Sequence, residues 1–156
     1  MKSRRLYEYL AIVGERIIEH GESSVRLKEI SRRINVKPSS AREYMRRLIE
    51  EGYVKRDKRG RYTLTEFGLR ELERVMWAHG VIETFLYRVL GIDPDTACRI
   101  ASKIEYLVPE EAVERLCKLL DHPHKCPHDQ EIPHKDSSEG VRRVFLRCFL
   151  YNISTE

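Results

Sequence analysis

The sequence predicts a mainly α-helical chain, an N-terminal winged helix-turn-helix followed by a helical dimerisation domain. Three observations carry that expectation. Residues 25–50 hold two short apolar repeats of helical period with a tight connection between them. Residues 53–64 change to a strand-like pattern around a run of positive charge. From residue 65 onward long helical repeats return, punctuated by Asp93-Pro94 and Pro109.

The N-terminus MKSRRLYEYLAIVGERIIEHG reads as a charged amphipathic helix rather than a signal peptide. In the next segment Leu27, Ile30 and Ile34 fall on one helical face, with Arg32 and Arg33 outward. Asn35 tolerates a left-handed turn, and Lys37 precedes Pro38, whose ring disfavours helical geometry in the residue before it. The first helix is therefore expected to stop near Ile34. Ser40 with Glu43 three residues on has the form of a capping box, so a second helix is expected to open there. Its apolar face would be Ala41, Tyr44, Met45, Leu48 and Ile49, leaving Ser39, Arg42, Glu43, Arg46 and Arg47 for a partner. After Gly52, Tyr53-Val54 and Tyr62 with Leu64 flank a hairpin holding five positive charges, at Lys55, Arg56, Lys58, Arg59 and Arg61.

This arrangement is suited to double-stranded DNA. Basic side chains of the hairpin, Arg59 and Arg61 among them, can meet phosphates, while residues at the start of the second helix reach base edges: Lys37, Ser39, Ser40, Arg42, Arg46 and Arg47. Arg42 and Arg46 are the candidates for guanine, since a guanidinium can bridge O6 and N7. The competing reading is a solvated, salt-bridged surface or a winged helix used for protein contacts. Charge is divided to match: residues 1–75 carry 19 Lys and Arg against 12 Asp and Glu, a net +7, whereas residues 76–156 carry 10 against 13, a net −3. Such asymmetry points to a polyanion-binding half joined to a half with another task. No apolar run approaches the length of a membrane span, so a cytoplasmic protein without a membrane partner is expected. No nucleophile, base and oxyanion arrangement or phosphate loop suggests an enzyme.

In the second half, Thr65 is expected to cap a helical pattern from Glu66 to about Leu90, as one helix or as two joined near Gly80. Asp93 with Pro94 opens a further helix, and Pro109 another, with Glu110 and Glu111 at its positive end. These segments form a natural homodimerisation unit, which would set two recognition helices about 34 Å apart. His79 and Glu83 are i and i+4 neighbours, and Cys98, Ser102, Glu105 and Tyr106 share another face. If those faces meet, imidazole, carboxylate and thiolate converge on a cavity for a divalent transition metal; each pair alone also reads as an ordinary helix contact. Cys117 and Cys148 lie in apolar repeats and are expected to be buried small hydrophobes. The segment DHPHKCPHDQEIPH holds four of the six histidines and Cys126. Cys126-Pro-His128 has the look of a chelate, but a proline-ordered linker is the favoured reading. In the tail, Val141, Val144, Phe145, Cys148 and Phe149 fit a C-terminal amphipathic helix, with a strand as the alternative.

The order of elements and several stretches resemble the diphtheria toxin repressor family of metal-dependent regulators, which includes the manganese transport regulators. These stretches are YEYL, NVKPSSAREYMRRLIEEGYV, LTEFG, HGVIETFLYRVLGID, KIEYLVPEEAVERL and HPHKCPHDQEIP, spanning roughly residues 5–133. The resemblance implies a short form without the family's C-terminal barrel: a winged-helix DNA-binding domain over 1–70, a metal-binding and dimerisation domain over 71–134, and a tail over 135–156. It implies a repressor whose operator binding is turned on by iron or manganese bridging the first helix and the dimerisation domain. By position, Glu8 falls at a methionine or aspartate ligand of the family, His79 and Glu83 at ligands, Glu105 at a carboxylate ligand, and Cys98 at an ancillary-site histidine. Ser102 stands where the family has cysteine or glutamate, Tyr106 where it has histidine, and Ala11 where manganese-responsive members have glutamate. The surviving set, His79, Glu83 and Cys98 with Glu8 and Glu105 nearby, suits zinc, iron, cobalt or nickel better than manganese. Two other readings stay open: a regulator with a different trigger and a degenerate metal site, and a metal-binding or protein-interaction module that has lost DNA recognition.

Overall fold

The computed structural model describes residues 3–134 and 147–151. The chain divides into two compact units, residues 1–72 and 73–156. In the first unit, α1 (Arg4–Gly14) runs on without a break into one wider π turn over Glu15–Glu19. Then come α2 (Leu27–Ile34), α3 (Pro38–Glu50), the antiparallel strands β1 (Val54–Arg56) and β2 (Tyr62–Leu64), and the start of α4 (Glu66–Arg88).

Local chemistry explains the boundaries. Glu29 accepts a hydrogen bond from the Arg26 backbone amide at 2.8 Å and opens α2, and Asn35 closes it at φ 61°, in the left-handed region. Helix α3 does not begin with a Ser40 capping box. It begins at Pro38, with Lys37 extended as N-cap, so Ser39 and Ser40 lie exposed in the first turn. Proline wins because its fixed φ suits the first helical position, where its missing amide needs no partner. Gly52, at φ +80°, reverses the chain after α3, and the Tyr53 amide returns to Leu48 O at 2.9 Å.

The core of this unit gathers Leu6 and Leu10 of α1, Ile30 of α2, and Ala41, Met45 and Leu48 of α3, all at most 1% exposed. Of the expected apolar face of α3, Tyr44 is half-buried and stacks on Tyr9 at 4.7 Å, while Ile49 is exposed. The two strands pair Val54 with Leu64 and Arg56 with Tyr62, and a backbone bridge from Val25 to Tyr62 ties this wing to the segment before α2. Thr65 accepts from the Gly68 amide at 2.9 Å and donates to Gly52 O at 2.6 Å, so one hydroxyl both caps α4 and holds the turn after α3.

In the second unit α4 passes through Gly80 as one helix. It is joined by α5 (Pro94–Ile104), α6 (Glu110–Leu119) and the single-turn α7 (Cys148–Tyr151). Asp93 caps α5 by accepting from the Thr96 amide at 3.0 Å, with Pro94 in the first turn, and Pro109 precedes α6. Residues 121–134 form a tight reversal in which Lys125 and Glu131 pair through their backbones. Gly80 makes room for this segment: a Cβ there would come within 2.7 Å of Ile132. The C-terminal helix expected over Val141 to Phe149 lies mostly outside the described residues. Among the described residues, no helix is long and apolar enough to cross a membrane.

Gly68 is the tightest seat in the first unit, since a Cβ there would stand 1.9 Å from the Tyr53 carbonyl oxygen. Backbone cannot step aside as a side-chain tip can. Gly68→Ala is therefore expected to destabilise the protein by at least about 2 kcal/mol, at the upper part of the overpacking range, as read by chemical denaturation.

Candidate metal centre and nucleic-acid interface

The second helix of the helix-turn-helix presents a basic, open surface. Lys37, Ser39, Ser40 and Arg42 are exposed at its start, Arg46 is exposed farther on, and Arg47 is half-buried with its guanidinium 5.9 Å from the Tyr44 ring. The two arginines singled out for guanine differ. Arg46 is gripped within its own helix by Glu43, at 2.6 Å, and by Glu50, whereas Arg42 carries no such ion pair among the described residues. In the wing, Arg59 is exposed at the tip, where Asp57 Oδ1 accepts its backbone amide and that of Arg61, each at 2.9 Å. Arg61 is half-buried and donates twice to Ser24, to Oγ and to the carbonyl, both at 2.7 Å. Its first task is to hold the wing in place.

The sequence-predicted metal residues fall in both units. Glu8 lies on α1 in the first unit, where Arg4 and Arg5 pair with it at 3.4 and 2.8 Å. The other four lie together in the second unit. His79 and Glu83 are one turn apart on α4, both fully buried, because neighbouring turns of that helix are almost wholly enclosed. Cys98, on α5, is fully buried and sits 3.5 Å from His79 Nε2. Glu105, at the end of α5, takes His79 Nδ1 at 2.5 Å. Burial opposes a charge on His79, but the Glu105 carboxylate overrides it and raises the imidazole well above its usual range. Ser102 spends its hydroxyl on Arg99 O at 2.9 Å, and Tyr106 is half-buried.

Two residues join this group that the local pattern did not favour. His128, assigned to a linker, meets Glu83 Oε1 through Nδ1 at 2.6 Å and Asp95 through Nε2 at 2.9 Å. Burial lowers its basicity, but those two carboxylate contacts outweigh it and raise its pKa to about 8. Cys148, expected to be a buried small hydrophobe, is buried, but it lies among polar donors. Its carbonyl accepts from Cys98 Sγ at 3.6 Å, and its own Sγ is 3.8 Å from Cys126 Sγ. Contact with Cys148 lowers Cys98 and Cys126 below the usual thiol range, against the effect of burial, and Cys148 itself is raised. The signal for both residues was the Cys126-Pro-His128 chelate spacing, together with a fourth cysteine near the C-terminus.

Glu83, Cys98, His128 and Cys148 each offer one donor atom, and these atoms all lie within 4.8 Å of one another. Within this pocket Glu83 Oε2 is buried and has no hydrogen-bond partner, 3.5 Å from His79 Nε2. Desolvation raises the Glu83 pKa to about 7, with His79 pulling the other way. An orphaned buried carboxylate oxygen facing an imidazole and two sulfurs fits a divalent transition metal. Cys117 lies apart from this set, buried near His122, in keeping with a small hydrophobe.

Comparison with known proteins agrees with both halves. The model of the iron dependent repressor N-terminal DNA binding domain matches residues 5–61, and that of the iron dependent repressor metal binding and dimerisation domain matches residues 65–134. An HTH-type transcriptional regulator of Methanocaldococcus jannaschii is 32% identical over 117 residues, covering 73% of this chain and 90% of that protein. The crystal structure of a hypothetical protein from Sulfolobus solfataricus is 34% identical with a TM-score of 0.74, covering 85% of this chain and 99% of the other. The crystal structure of ScaR with bound Zn2+ is 31% identical with a TM-score of 0.70, and this chain spans 62% of its length. The chain belongs to the iron-dependent repressor family, metal-dependent transcriptional regulators that combine a helix-turn-helix DNA-binding domain with a metal-binding and dimerisation domain.

Proposed function

We propose that the chain is a homodimeric repressor that binds a double-stranded DNA operator in response to a divalent transition metal. The observation that carries this reading is the unpartnered Glu83 oxygen, buried beside Cys98, His128 and Cys148 in a chain that also offers an exposed Arg42 on its recognition helix. When bound, a divalent cation supplies the positive charge that lets these groups be ionised together out of water. His79, held by Glu105, braces the pocket from behind, and Asp95 orients the His128 ring, the role outer carboxylates take around a ligating imidazole. Lys37, Ser39, Ser40, Arg42 and Arg47 face the operator, with Arg59 on phosphate and Arg46 available once Glu43 and Glu50 release it. Glu8 is paired with arginines and serves α1. A state favoured by metal gains DNA affinity through the differential affinity of the metal for it.

Exposed apolar side chains at the ends of the helices of the second unit support a dimer: Tyr87 in the last turn of α4, Val89 and Leu90 just after it, Leu107 after α5, and Leu119 at the end of α6.

The decisive experiment is a titration of operator DNA with chelator-stripped protein and with protein given Zn2+, Co2+, Fe2+ or Mn2+ in turn. At least one metal is expected to raise affinity tenfold or more, in line with typical coupling energies of about 1–3 kcal/mol; equal affinity throughout rules the switch out. Arg42→Ala is expected to cost about 1–3 kcal/mol at one base position, and more than Arg46→Ala, whereas Arg59→Ala weakens all sequences alike and lowers the salt slope by about 1. Leu90→Glu is expected to shift the protein toward monomer by sedimentation and to lose operator affinity. In thermal denaturation Glu83→Gln is expected to abolish any gain in midpoint from added metal, because it removes a charged donor oxygen from the cluster.

A further inference from the structure

We infer that the bound cation is of the thiophilic zinc class and is held entirely within the second unit by Glu83, Cys98, His128 and Cys148, so that the short C-terminal helix itself supplies a ligand. The inference rests on reading this cluster as the metal site and goes on to name its ligands and its selectivity.

The geometry is that of a closed four-donor site. A tetrahedral zinc centre with bonds of about 2.0–2.3 Å holds its donors roughly 3.3–3.8 Å apart. The four donor atoms here lie within 4.8 Å of one another, so each needs to move only a fraction of that distance to close on a shared ion. Each ligand is also held by something other than the ion. His128 turns its Nδ1 inward because Asp95 takes Nε2 at 2.9 Å. Cys148 is set by its backbone amide, which donates to Gln130 Oε1 at 2.9 Å. Glu83 and Cys98 sit on regular helices and are fully buried. Two sulfurs, one nitrogen and one carboxylate oxygen form a soft to borderline donor set, which favours zinc, cobalt(II) or cadmium and leaves manganese, the weakest binder of the divalent series, at a disadvantage.

Helix α7 is a single turn, too short to stand on its own hydrogen bonds. Its burial against α5 makes Cys148 a tether. Ligation at Cys148 then couples metal occupancy to docking of α7 on α5.

The test uses the full chain stripped by chelator and titrated with Co2+ alone, without DNA. A thiolate-to-cobalt charge-transfer band and the visible bands of tetrahedral cobalt are expected. Cys98→Ser and Cys148→Ser should each halve the charge-transfer intensity, and the double variant should abolish it. Cys117→Ser, which alters a buried thiol elsewhere, should leave it unchanged, and circular dichroism of each stripped variant checks that it folds. Zn2+ should displace the cobalt and protect Cys148 from alkylation as read by mass spectrometry, and Mn2+ at the same concentration should do neither. Absence of a charge-transfer band, a full band in Cys148→Ser, loss of the band in Cys126→Ser instead, or displacement by Mn2+ would each overturn the assignment. Metal-dependent operator binding without thiolate bands sinks this inference and leaves the proposed switch standing. Thiolate bands with DNA affinity indifferent to metal do the reverse.

Discussion

A carboxylate enclosed on every side must be protonated, paired or bound to a cation, and Glu83 is fully enclosed with one oxygen lacking any hydrogen bond. Much of the second unit can be read as a response to that constraint. The reversal over residues 121–134 delivers His128 to its other oxygen, and Asp95 on α5 holds the far side of that ring. His79 is placed one helical turn away, and Glu105 in turn fastens His79. The two imidazoles that meet Glu83 thus each have a second carboxylate that fixes their direction. Donors held in this way are partly ordered before any ligand arrives, which lowers the ordering cost of binding.

The first unit meets its own electrostatic demand differently. Its excess of positive charge is left largely at the surface, and two charges turned partly inward are satisfied locally, Glu8 by ion pairs with Arg4 and Arg5 and Arg61 by hydrogen bonds to Ser24. The contrast between Arg42 and Arg46 shows how one helix can carry two kinds of arginine. One stands ready, while the other must first part from Glu43 and Glu50. Exposed pairs of that sort contribute little stability and separate readily when a phosphate or base edge competes.

Periodicity made the helices legible, including the pairing of His79 with Glu83 and the single face shared by Cys98 and Glu105, because those relations are set by helical geometry within a few residues. Helix α3 starts three residues earlier than the Ser40 to Glu43 spacing indicates, with Lys37 as N-cap, since two local signals compete and the proline at the first helical position outweighs that spacing. The spacing of Cys126 and His128 hints at a chelate, but where His128 and Cys148 come to lie is not legible, for a different reason. His128 meets a group 45 residues away and Cys148 one 50 residues away, and no local repeat encodes which distant segments a reversal will bring together. The difference between Arg42 and Arg46 likewise depends on rotamers that spacing alone leaves open.

Gly80 sits in the middle of α4, where a glycine costs about 1 kcal/mol relative to alanine, yet the helix passes through it unbroken. Its value lies in the missing methyl, which lets Ile132 press against the helix backbone. That gives a one-letter criterion for sorting relatives by sequence. In a chain with a side chain at this position, the counterpart of Ile132 has to shift or shrink before the reversal that carries Cys126 and His128 can lie as closely against the helix. A glycine three residues ahead of the glutamate, followed far downstream by a Cys-Pro-His, is the pattern to look for in chains that seat this reversal as closely.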